Sequence, residues 1–100
     1  MFDLHSAATS LTAAGASDLH LAAGSPPTMR VSGELCPVPD AAPLSRSDTE
    51  AALSAMVKDP AKLAEFEGEG EVDFSCEIEG LARLRVNAFR QRGSVALVCR

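Results

Sequence analysis

Arg83 and Arg85 stand two residues apart in the run Arg83-Leu84-Arg85-Val86-Asn87. On a strand this spacing projects both guanidinium groups from one face, about 7 Å apart at the backbone. A pair so placed can grip two sides of a phosphate, because the planar fork of arginine bonds oxyanions bidentately. Arg92 and Arg100 lie near in sequence and are candidates to join them. The other reading is a cross-strand charge ladder with Glu77 and its neighbours, worth about 0.2–1 kcal/mol per pair. Charge counting speaks for a ligand: after residue 78 there are five arginines and one acid, more positive charge than a facing strand can neutralise.

The remaining reactive groups are sparser. Asp18 and His20 share a strand face, and an aspartate can orient a histidine base, but a triad also needs a nucleophile and none is identifiable. The two could also be metal ligands, or simply hydrogen-bonded structural groups. Asp73 and Glu77 are two acids on one strand, a pairing known from glycosidases but with no cleft signal beside it. Glu65, Glu67, Glu69 and Glu71 read as a solvated helix end and loop, and His5 as a solvated residue near the first helix start. Cys36, Cys76 and Cys99 lack close C-x-x-C spacing, which argues against structural zinc; reduced, buried or half-buried thiols are expected. No G-x-x-x-x-G-K-[ST] and no G-x-G-x-x-G occurs, and neither Lys58 nor Lys62 follows a glycine. This chain alone is not expected to hydrolyse ATP.

One hundred residues suit one domain with one core. The 46% apolar fraction suits a soluble globular protein, with Leu, Val, Ala and four Phe in place of any Trp or Tyr. No membrane-length apolar run and no secretory signal is present, since Asp3 occupies the place of a basic region; the cytoplasm is the expected compartment. The net charge of −5 hides an asymmetry: residues 1–80 hold all fourteen acids and four bases, and residues 81–100 hold five arginines and no acid. The whole chain would repel nucleic acid, while its last segment could meet phosphate or an acidic surface.

The elements that must position these groups follow from periodicity. Residues 2–14 place Leu4, Ala7, Ala8 and Leu11 at helical spacing, closed by Gly15. Leu19 and Leu21 alternate with Asp18 and His20 as a strand. Pro26-Pro27 makes a stiff connection, Met29–Val31 resumes a strand, Ser32-Gly33 turns, and Glu34–Val38 returns. Pro37, Pro39 and Pro43 read residues 37–44 as a linker. Ser45 caps a helix with Asp48 as capping-box partner, burying Leu53, Met56 and Val57. Asp59-Pro60 starts another helix, anchored by Leu63 and Phe66 and ended by Gly68 or Gly70. Residues 71–79 alternate, with Val72, Phe74, Cys76 and Ile78 inward and Asp73, Ser75, Glu77 and Glu79 outward. Residues 82–88 alternate too, with Ala82, Leu84, Val86 and Ala88 inward. The three-residue connection Glu79-Gly80-Leu81 keeps the two apolar faces in phase and sets Ile78 opposite Ala82, Glu77 opposite Arg83, Ser75 opposite Arg85 and Asp73 opposite Asn87. Arg92-Gly93 turns the chain into Ser94–Cys99, apolar on both faces as a central strand is. The order predicts an α+β fold: an antiparallel sheet of about six strands with helices packed on it.

Taken in order, the residues that carry a family likeness are Gly15-Ala16-Ser17-Asp18-Leu19-His20-Leu21, Gly24 with Pro26-Pro27, Arg30, Gly33 with Leu35, Asp73-Phe74-Ser75, Arg83-Leu84-Arg85-Val86-Asn87-Ala88-Phe89 and Arg90-Gln91-Arg92-Gly93-Ser94-Val95. In this order and spacing they resemble the N-terminal domain of the PilT-type type IV pilus retraction ATPases, in the wider secretion-ATPase superfamily. The resemblance spans nearly the whole chain. It implies a PAS-like fold over residues 1–100, packed against a RecA-like ATPase domain of the same and the neighbouring subunit in a homohexameric ring. It implies ATP and Mg as ligands of the parent protein, the inner-membrane platform protein of the pilus as a partner, and a place at the cytoplasmic face of the inner membrane. It also implies that arginines of this domain approach the nucleotide phosphates; by position Arg83, Arg85, Arg92 and Arg100 are the candidates. Family members continue into Walker A, acidic and His-containing motifs, so residues 1–100 are expected to be one domain of a longer motor whose ATPase domain lies outside them. Retraction and extension motors share this architecture. The alternative is a PAS-like sensor or scaffold module that binds a small ligand or a protein partner without ATPase function.

Overall fold

Asp3 opens the first helix, α1 (Leu4–Ala14), its carboxylate accepting from the backbone N–H groups of His5 and Ser6. Gly15, at φ 66°, closes it in the left-handed region that glycine occupies without strain. In the computed structural model, which describes residues 3–78 and 80–100 and only the backbone of Ala82, six strands and two further helices follow. The strands are β1 (Asp18–Leu21), β2 (Thr28–Val31), β3 (Glu34–Pro37), β4 (Glu71–Ile78), β5 (Ala82–Gln91) and β6 (Ser94–Cys99). Helices α2 (Arg46–Met56) and α3 (Pro60–Glu69) lie in sequence between β3 and β4. The expected places of Phe2 in α1, of Glu79 on the outer face and of the Ala82 side chain lie outside the described residues.

All pairings are antiparallel, in the order β3-β2-β1-β6-β5-β4. The α+β fold expected from the sequence is the fold observed. β6 sits between β1 and β5, which is why its Val95, Ala96, Leu97 and Cys99 are all buried. Ser32-Gly33 and Arg92-Gly93 both have positive φ at two successive residues. That is the backbone of the primed two-residue turns whose twist suits a hairpin. The β4–β5 register pairs Ile78 with Ala82, Glu77 with Arg83, Ser75 with Arg85 and Asp73 with Asn87, as the alternation requires.

One face of the sheet carries Leu19, Leu21, Met29, Val72, Cys76, Leu84, Val86, Ala88, Leu97 and Cys99 into a core cluster. The helices complete that cluster with Ala7, Ala8 and Leu11 from α1, Ala52, Leu53 and Met56 from α2 and Phe66 from α3. Burying a side chain the size of Phe66 or Leu19 stabilises by about 1.5–3 kcal/mol, so the amphipathic helices persist by leaning on this face. Ser45 caps α2 in a reciprocal capping box with Asp48. Asp59 and Pro60 start α3, and Gly70, at φ 76°, ends it. Arg90 lies 4.8 Å from the Phe66 ring centroid, tying β5 to α3 by a cation–π contact.

One overlap in the sequence reading is resolved and one detail differs from it. Pro37, read both within the Glu34–Val38 strand and as the start of the linker, belongs to β3, paired with Thr28. It is tolerated there because β3 is an edge strand, where a missing N–H breaks no ladder. Val57 is only half-buried as the C-terminal cap of α2, whose buried stripe is Thr49, Ala52, Leu53 and Met56. The fully buried Thr49 satisfies its hydroxyl by donating to the Arg46 carbonyl at 3.0 Å.

Candidate functional site

The opposite face of the sheet carries the polar residues of the alternating strands. The cross-strand pairs place Asp18 beside Arg30, His20 beside Val98, Val98 beside Asn87, and Asn87 beside Asp73. Arg100 extends β6 by one residue: its N–H donates to the Arg85 carbonyl at 2.8 Å, and the Arg85 N–H donates to the Arg100 carbonyl at 3.0 Å. A reciprocal pair of this kind holds both residues on one face. Arg85 and Arg100 are therefore neighbours across two strands although fifteen positions apart in sequence.

These two arginines line one depression of about 320 Å³, together with Lys62, Ser75, Asn87 and Val98, and with Asp73 as its acid. The Asp73 carboxylate accepts from the Asn87 amide at 3.0 Å, and the same amide donates to Glu71 at 3.3 Å. Lys62 faces Glu65 at 3.8 Å. Among the described residues, Arg83, Arg85, Arg92 and Arg100 make no ion pair and no side-chain hydrogen bond. The ladder reading thus fails at its main rung: Glu77 and Arg83 are opposite in register without an ion pair within 4 Å. Arg83 shares the face of Arg85 one strand repeat away. Arg92 does not join them; it sits in the β5–β6 turn, seven residues along β5 from Arg85, or about 23 Å at strand rise.

Asp18 and His20 form a connected structural cluster on the same face. The Asp18 carboxylate accepts from the Ser17 hydroxyl and bonds His20 Nε2, each at 2.5 Å, and faces Arg30 Nε at 3.7 Å. Arg30 also donates to the Gly33 carbonyl at 3.0 Å. The Ser17 hydrogen bond foremost, then His20 and Arg30, hold the Asp18 carboxyl below its ordinary range against the opposing cost of burial. No group of three His, Cys, Asp or Glu among the described residues is arranged to hold a metal. Burial pushes the Cys76 thiol up, and pushes Cys99 up to about 12, so both are inert core residues; Cys36 is half-buried on the edge strand. His5 is exposed, as are Glu65, Glu67, Glu69 and Glu71.

Three features were not visible in the sequence. Arg30 closes the Asp18 cluster, Lys62 reaches the arginine depression from α3, and a second pocket of about 440 Å³ lies between α1, the proline loop and the start of α2. The proline spacing over residues 37–44 was the one available signal for that pocket. The other two need a register or a helix placement that pattern alone does not fix.

No family model matches the chain. It is 42% identical over 86 residues to the type IV pilus retraction ATPase PilT of Pseudomonas aeruginosa, covering 86% of this chain and 24% of that protein. It is 36% identical over 86 residues to the type IV pilus ATPase PilU of the same organism, covering 86% and 22%. The chain thus spans about a quarter of the length of these relatives. A crystal structure of the pilus retraction motor PilT with bound ADP superposes with a TM-score of 0.90 at 34% identity, over 100% of this chain and 29% of that one. The Legionella pneumophila ATPase DotB shares the fold at a TM-score of 0.79 and 20% identity, over 97% of this chain and 27% of that one. The sequence identity, the six-strand topology and the near-complete superposition converge: this chain corresponds to the N-terminal domain of the PilT-type type IV pilus ATPases.

Proposed function

We propose that residues 1–100 are one domain, PAS-like in fold, at the N-terminus of a type IV pilus retraction motor, and that it couples nucleotide state to domain orientation. The observation that carries this reading is the depression shared by Arg85 and Arg100, two guanidinium groups on one uncovered sheet face without an acidic partner among the described residues. Unpaired cations held by two bonded strands are pre-organised for an oxyanion brought by another domain. The relative with bound ADP supports nucleotide as the source of that oxyanion. In the parent, ATP and Mg sit on a RecA-like domain, of the same or the neighbouring subunit of a homohexamer. Phosphate engaged by Arg85 and Arg100 favours one orientation of that domain against this one. The parent works at the cytoplasmic face of the membrane against the platform protein of the pilus. No helix among the described residues is long and apolar enough to cross a membrane. The phosphate site narrows from four arginines to Arg85 and Arg100, with Arg83 beside them, and Arg92 serves a separate contact.

The experiment is Arg85→Ala in the full-length motor. ATP turnover falls while the domain keeps its thermal transition; unchanged turnover at saturating ATP contradicts the reading. The pocket of about 440 Å³ beside α1 favours one other reading, a sensor or scaffold module that holds a small ligand or a protein partner there. The coding DNA beyond codon 100 separates the two: an in-frame Walker A motif supports the motor.

A further inference from the structure

We infer that Lys62 is a third cation of the arginine depression, exchanging Glu65 for the anion, and that the three cations together select a dianionic terminal phosphate over a phosphodiester. The inference rests on the arginine site proposed above and names the kind of phosphate it takes. Lys62 lines the depression with Arg85 and Arg100, and it is the one lining residue that comes from a helix. Arg85 and Arg100 are fixed side by side by their reciprocal backbone bonds. Helix α3 packs against β4, so Lys62 reaches the depression from a different layer. An anion on the two arginines therefore meets the third cation from a direction that two neighbouring strands do not supply.

Lys62 Nζ lies 3.8 Å from Glu65 Oε1, and the two side chains are 41% and 43% exposed. A pair this open on one helix contributes little, so the ammonium, on its flexible four-carbon stem, leaves it for a stronger charge. The acid of the depression does not hold it. Among the described residues no ion pair within 4 Å joins Lys62 to Asp73, and the Asp73 carboxylate accepts from Asn87. The side chains lining the depression thus bring three cations and one acid. That excess of two positive charges is balanced by a dianion and not by a monoanion. A terminal phosphate monoester, with a second pKa near 6, carries about two negative charges at pH 8 and three acceptor oxygens. Each oxygen then has one cationic donor. A phosphodiester carries one charge and two such oxygens, and leaves one of the three donors without an anionic partner.

The test uses the 100-residue chain at pH 8 with methyl phosphate, a dianion, and dimethyl phosphate, a monoanion. Binding is followed by the backbone amide NMR shifts of Lys62, Asn87 and Arg100. Methyl phosphate is expected to bind about tenfold tighter than dimethyl phosphate, and to shift the Lys62 amide with the same midpoint as those of Asn87 and Arg100. Lys62→Gln is expected to weaken methyl phosphate about three- to tenfold and dimethyl phosphate about two- to threefold, since a monoanion feels half the attraction. Lys62→Arg, which keeps the charge, is expected to stay within about twofold of wild type. Glu65→Gln is expected to tighten methyl phosphate about twofold, and only while Lys62 is present. Lys62→Gln that binds methyl phosphate like wild type, or a Glu65→Gln gain that survives Lys62→Gln, overturns the role of Lys62 and leaves the arginine site standing. Equal wild-type affinity for the two phosphates overturns the selectivity. A wild-type chain whose signals respond to neither overturns both the inference and the arginine site.

Discussion

Asp18 shows how one carboxylate organises several neighbours. It accepts from Ser17, bonds His20 and faces Arg30, and each of these favours its ionised form. A carboxyl whose folded pKa lies below the unfolded value, near 3.9, stabilises the fold above that value, and this stability is lost as pH falls through the folded pKa. Urea unfolding between pH 5 and pH 2 should therefore show a loss of stability below about pH 4 that is smaller in Asp18→Asn. An Asp18→Asn variant with the wild-type acid profile would assign the loss to other carboxylates. The pairing of Asp18 with His20 was legible from their shared strand face. Arg30 was not, because residues 22–27 form a proline-containing connection whose length does not fix the β1–β2 register. The arginine spacing on β5 was legible as one face, but the neighbour that completes the depression, Arg100, depends on where β6 ends against β5.

Among the elements, the β4–β5 hairpin was the most readable. Both strands alternate strictly, and the connection between them admits one register in which apolar faces apolar. The helices were readable from their ends more than their stripes. Ser45 with Asp48 and Asp59 with Pro60 mark two starts, Gly15 marks one stop, and of the two glycines offered for the end of α3 it is Gly70 that ends it; the Asp3 cap of α1 was not read from the sequence. Pro37 was read both as the end of the return strand and as the start of the linker, because the sequence does not reveal that β3 is an edge on which a proline is tolerated. The capping box of α2 gives the element-scale prediction. Ser45→Ala removes a bond to the Asp48 N–H at 3.1 Å and should cost about 1 kcal/mol, within the 0.5–2 kcal/mol seen for such caps. Chemical denaturation reads this as a lower midpoint with unchanged slope. A midpoint equal to wild type would mean that α2 is held by its packing on β6 alone.

At the scale of the whole molecule, charge and layering agree. The helices cover one face of the sheet, and the acidic majority of the chain is spread over helix ends, loops and the edge strand β4. The C-terminal arginines are split by the topology: Arg85 and Arg100 meet on the uncovered face, Arg90 packs on Phe66, and Arg92 marks the far turn. Sequence proximity suggested a group of four, and strand pairing divides it. The measurement that bears most directly on this division is the ATP turnover of the full-length motor carrying Arg85→Ala, Arg100→Ala, both together, and Arg92→Ala. Residues that share one ligand couple by about 0.5–3 kcal/mol, so the double variant should lose less than the two single losses combined. Arg92→Ala should stay within about twofold of wild type, as expected for a surface substitution away from the site. Turnover untouched by Arg85→Ala and Arg100→Ala, or a loss in Arg92→Ala as large as theirs, would contradict the account.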